Sequence, residues 1–100
     1  MTPEARKTLR TIRRCVAADR VLVLPHFIQR MDERGLVWPD VLTVLDAPAT
    51  VQADGMDDWG RPRWIVSGEA ADGLSASMVC VLSRDARGES TVFITLFWEP

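Results

Sequence analysis

Apolar positions recur at helical spacing through residues 1–48 and alternate with a period of two thereafter. Thr2-Pro3-Glu4 reads as a helix start: a capping hydroxyl, proline at the first helical position and an acid in the first turn. Leu9, Ile12 and Val16 form one apolar stripe, so the spacing predicts a helix from Pro3 to Ala18. Arg6, Arg10, Arg13 and Arg14 occupy its other face. Val21–Leu24 is short and β-branched, an extended lead-in or short strand ended by Pro25. A second helix is expected from Pro25 or His26 to Arg34, capped by Gly35. Trp38-Pro39-Asp40 opens a third, with Val41, Leu42 and Leu45 on its buried side and Pro48 marking its end.

Strands are expected at Thr50–Ala53, Arg63–Glu69, Leu74–Ser83 and Thr91–Trp98, separated by Asp- and Gly-rich turns. In the last strand, strict alternation sets Val92, Ile94, Leu96 and Trp98 against Phe93, Thr95 and Phe97. Apolar residues on both faces suit a central or covered strand. Short connections favour an antiparallel meander. The pattern predicts one α+β domain, with two or three helices packed on a mainly antiparallel four-stranded sheet.

A chain of 100 residues, 47% apolar and 26% charged, suits a single globular core. No apolar run approaches the ~20 residues that a membrane-spanning helix needs. The basic N-terminal stretch has no apolar segment behind it, so no signal peptide is expected and the chain reads as cytoplasmic. Cys15 and Cys80 lie far apart and read as reduced packing residues. One His, scattered acids and no Gly-rich phosphate loop give no metal or cofactor signature.

Charge changes the picture more than composition does. Residues 1–34 hold eight basic and four acidic side chains, whereas residues 35–60 hold five Asp and no Lys or Arg. The basic third fits contact with phosphate or an acidic partner, or simply a solvated helix face. The overall pI of about 5.3 argues against a strong, non-specific nucleic-acid binder.

The most informative stretch is His26 to Leu36. At about 100° per residue, His26, Arg30 and Arg34 share a helix face with Glu33 beside it, while Phe27 and Met31 face the sheet. His26 falls in the first turn, where free N–H groups favour an anion, and Arg30 and Arg34 add two guanidinium forks. An RNase needs such parts: a proton-transfer group and cations for the phosphorane charge. The alternative is a surface lattice in which Arg30 and Arg34 pair with Glu33, Asp32 or Asp40.

A second cluster is Trp59-Gly60-Arg61-Pro62-Arg63-Trp64. Its Trp and Arg residues fit base stacking and phosphate contact, or a loop entering a strand with Trp64 in the core and Trp59 as its lid. Ser67, Thr95 and Trp98 are candidates to line one sheet surface.

His26, Arg30-Met31 and Arg34-Gly35-Leu36, followed by an apolar helix with Val41, Val44 and Leu45, resemble the domain-of-unknown-function family 4258. The resemblance spans roughly residues 20–98, with Gly68, Leu74–Leu82 and Val92–Phe97 matching in character. Leu24, Pro25 and Phe27 depart from the usual pattern of a Ser or Thr before the His and an Ala after it. The family is similar to RelE-like and BrnT-like toxins and to colicin-type RNases, which cleave RNA without a metal. The resemblance therefore implies a RelE-like fold and a toxin-type endoribonuclease. His26, Arg30 and Arg63 are its candidate catalytic residues, and Arg34, Arg61, Trp59 and Thr95 its candidate RNA contacts. RNA and an antitoxin-like protein are the implied partners. The rival expectations are a non-catalytic protein-interaction module of the same fold and a domain that self-associates through an exposed edge strand.

Overall fold

A computed structural model describes residues 1–98. Helix α1 (Pro3–Ala17) begins where Thr2 accepts a bond from the Ala5 N–H at 3.1 Å. It ends at Ala18 because Asp19 turns into the left-handed region, φ 55°, and the Arg20 N–H returns to the Cys15 carbonyl at 2.7 Å. Strand β1 (Val21–Val23) and helix α2 (Pro25–Arg34) follow. Gly35 closes α2 at φ 73°, a conformation its missing side chain makes inexpensive. Helix α3 (Trp38–Asp46) buries Val41, Val44 and Leu45. Spacing had favoured Leu42 over Val44, but Leu42 is only half-buried.

The remaining strands are β2 (Thr50–Met56), β3 (Pro62–Glu69), β4 (Ser75–Asp85) and β5 (Gly88–Phe97). These four form the expected antiparallel meander, with β4 and β5 each longer than the pattern implied. The sheet itself is mixed and five-stranded, in the order β1-β5-β4-β3-β2. Its fifth member is β1, which runs parallel to β5 with Val21 opposite Thr91 and Val23 opposite Phe93. A parallel neighbour needs a long crossover, which α2, α3 and the meander supply.

All three helices lie on one face. Ile12 of α1, Phe27 of α2 and Val44 of α3 share a core with Val66, Met78, Cys80, Phe93 and Leu96. Phe93 is its hub, meeting Phe27 edge-on at 5.5 Å and Trp38 at 5.4 Å. Strict alternation fails in β5. Its register against β4 slips between the Val79–Thr95 and Cys80–Phe93 pairs, leaving Ile94 as a bulge. Phe93 and Leu96 consequently face the same core, and Trp98 follows Leu96 to the helix side. Val79, Val81 and Val92 are buried on the opposite face, which carries no helix.

Gly68 has a packing role. A Cβ there would stand 3.2 Å from the Pro48 Cα, so a larger residue would push the α3–β2 connection back from β3 by a few tenths of an ångström. Among the described residues no helix is long and apolar enough to cross a membrane.

Candidate functional site

Helix α2 starts without a side-chain cap, because Leu24 occupies the capping position and Pro25 the first turn. His26 is therefore exposed beside free backbone N–H groups, and its imidazole has no partner among the described residues. One turn on, Arg30 is held on three sides. Its Nε donates to the Leu96 carbonyl at 2.9 Å, its Nη1 lies 3.3 Å from Glu33 Oε2, and its guanidinium sits 5.0 Å from the centre of the Trp98 ring. Its Nη2 carries no bond among the described residues, and the side chain remains one-third exposed.

Arg34 differs. Its Nη2 and Nε grip both oxygens of Asp72, at 2.9 and 3.2 Å, and its Nη1 donates to the Ser75 carbonyl at 3.0 Å. Its far side lies 5.3 Å from the Trp98 ring. Only 5% of its side chain is exposed. Arg34 is thus a strut between α2 and the β3–β4 turn, with three of its five N–H groups bonded inside the protein. Trp98 is the link that sequence reasoning misplaced on a sheet surface. The β5 bulge sends it beneath both guanidinium groups.

The other candidates lie elsewhere. Trp64 packs on the core, so by the strand pleat its neighbour Arg63 projects from the helix-free face, as does Thr95 beside Leu96. His26 and Arg30 sit in the helix layer, on the other side of the sheet. Arg63 is paired with Asp54 at 2.9 Å. Arg61 is paired with Asp57 at 2.7 Å, and Asp57 also accepts the Trp59 and Arg61 N–H groups, so the loop is braced by its own acid. Trp59 is 81% exposed. Ser67 bonds Ser77 across two strands at 2.7 Å. The structure therefore joins His26, Arg30, Glu33, Arg34 and Trp98 in one place and leaves Arg61, Arg63, Trp59 and Thr95 outside it.

Both cysteines are buried and free of a disulfide, and burial pushes the Cys80 thiol up to about 12. Among the described residues no group of three or more His, Cys, Asp or Glu side chains gathers as a metal site.

Residues 23–98 match the family described as a domain of unknown function, DUF4258. The chain belongs to this family. The match takes in α2 with His26, Arg30 and Arg34, and every later element, but stops short of α1. No curated protein and no solved structure gives a significant match. What the family contributes is thus a shared scaffold around the α2 face, not an activity.

Proposed function

We propose that this DUF4258 domain is a metal-independent endoribonuclease of toxin type, acting at the outer face of α2. The observation that carries the reading is the pairing of an unpartnered, exposed His26 with an immobilised Arg30 one turn away. A histidine free of structural bonds is available as a proton-transfer group. An arginine already held by a carbonyl, a carboxylate and an aromatic ring loses little freedom on meeting a phosphate.

The chemistry requires the 2′-oxygen to attack the adjacent phosphorus as the bond to the 5′-oxygen breaks. One group takes the 2′-hydroxyl proton and another gives a proton to the departing 5′-oxygen. In this assignment the Glu33 carboxylate beside Arg30 takes the 2′-hydroxyl proton and His26 gives one to the departing 5′-oxygen. Arg30 stabilises charge on the phosphorane. Arg34 positions α2 and does not touch the substrate. The resemblance of the His26 motif to a toxin-related family supports this assignment by analogy alone.

Incubation of purified protein with single-stranded RNA tests the reading. Wild type should cleave, and His26→Ala should lower the rate by roughly 100-fold or more, the usual worth of a proton-transfer group. Equal cleavage by wild type and His26→Ala would sink the role given to His26.

A second reading, a protein-interaction module, draws on a separate observation. The edge strand β1 leaves Leu22 57% exposed to solvent. No cleavage at high protein concentration, together with a partner lost on Leu22→Asp, would favour it.

A further inference from the structure

We infer that the outer face of α1 is a track for the sugar–phosphate backbone of single-stranded RNA. This deepens the ribonuclease reading, on which the choice of RNA rests. Arg6, Lys7, Arg10, Arg13 and Arg14 are all exposed and fall on one side of the helix, opposite Ala5, Leu9 and Ile12 in the core. The helix is 15 residues long, about 22 Å, and its cations recur roughly every turn.

Four of the five cations on α1 have no carboxylate partner among the described residues, unlike most of those elsewhere. Arg20, Arg30, Arg34, Arg61, Arg63 and Arg84 each have a carboxylate partner. Arg6, Lys7 and Arg10 have none among the described residues. Arg13 caps the last carbonyls of α3, Leu45 at 2.9 Å and Asp46 at 2.8 Å, which fixes the helix without neutralising it. Tertiary structure then extends the row. Arg87, from the β4–β5 turn, joins Arg14 and Arg20 around a groove of about 290 Å³ at the C-terminal end of α1. Glu89 sits in that groove and pairs with Arg14 at 3.1 Å.

The chemistry of the face favours a nucleic-acid backbone over an acidic protein. No aromatic or large apolar side chain stands among these cations, so the face lacks the anchors that dominate protein interfaces. A polyanion needs none, because counterion release supplies its binding energy. The acidic stretch from Asp54 to Asp58 lies on the β2–β3 side and would turn RNA away from Trp59 and Arg61. Helix α1 also precedes the residues matched to the family, so this surface belongs to this chain's own N-terminal segment.

The test is fluorescence anisotropy of a labelled 20-nucleotide oligouridylate titrated with the full chain across a range of KCl. The variants are Arg6→Gln/Lys7→Gln/Arg10→Gln and the charge-keeping Arg6→Lys/Arg10→Lys. Each phosphate contact contributes roughly 0.7 to the log–log salt slope, so the neutralised variant should lose about 2 from it and bind roughly tenfold more weakly at moderate salt. The charge-keeping variant should match wild type in slope. An unchanged slope in the neutralised variant overturns the track, and so does equal competition by polyglutamate of matched charge. His26→Ala separates the two ideas. If it still cleaves while the α1 variant binds poorly, the catalytic assignment falls and the track stands. If it binds normally without cleaving while the α1 variant also binds normally, the track falls alone.

Discussion

Arg34 and Asp72, 38 residues apart in sequence, form a two-pronged ion pair that ties helix α2 to the β3–β4 turn. The Arg34 fork is planar and matches both carboxylate oxygens, a geometry that a lysine cannot reproduce. The pair sets the far end of the helix that carries His26 and Arg30. Arg34→Ala should therefore destabilise the fold by about 2 kcal/mol, less than a fully buried pair because Asp72 is partly solvated. Arg34→Lys should recover little of that loss. Urea unfolding of the three proteins measures this, and an unchanged midpoint for Arg34→Ala would remove the strut role.

The same pair predicts acid sensitivity. Side-chain bonds from Arg34, then the Leu74 N–H, hold the Asp72 carboxyl below its usual value of 3.8. Asp85 is held low in the same direction by the Arg87 N–H and then by Arg20. A depressed carboxylate contributes stability above its unfolded pKa and loses it as pH falls through the folded one. Melting temperature should thus hold steady down to about pH 4 and fall below it. Asp72→Asn should start lower at pH 7 and show a shallower fall. Parallel acid profiles for the two proteins would contradict the linkage.

Thr91 offers a stabilising change. It is fully buried between Arg20 and the core, and its hydroxyl has no hydrogen-bond partner among the described residues. Thr91→Val keeps the shape and removes the desolvated group, so stability should rise by about 1 kcal/mol. A drop in melting temperature would mean the hydroxyl is satisfied in solution.

Asp19 is a second such position. It is the only non-glycine residue with positive φ among those described, at the turn that ends α1. Asp19→Gly relieves backbone strain but frees the unfolded chain, so a net gain of about 0.5 kcal/mol is expected. Asp19→Val should lose more than 1 kcal/mol, since a β-branched residue fits that region badly. Thermal denaturation of both variants tests the ordering.

Much of the fold is local and hence legible in the residues alone. Thr2-Pro3 and Gly35 mark helix ends because caps and left-handed turns depend on neighbouring atoms. The apolar period separates a helical first half from a sheet, and the turn residues punctuate the meander. The His26 motif also points to its family, and α2 carries it as spacing requires.

Other features depend on which distant residues meet. Three residues, Val21 to Val23, cannot announce a parallel strand, because pairing with β5 is decided by the crossover between them. One bulge at Ile94 reverses the faces of Leu96 and Trp98, which a strict period of two cannot foresee. Arg30, Arg34, Arg61 and Arg63 look alike as sequence. Folding alone distinguishes them: Arg34 is closed on Asp72, Arg61 and Arg63 pair with loop acids away from α2, and Arg30 keeps an Nη2 unbonded among the described residues, one turn from His26. The sequence by itself determines the elements and the charge on each, because those follow from local backbone chemistry and side-chain type. Only tertiary structure decides which charges stay available, because an ion pair is a contact between segments that the chain keeps far apart.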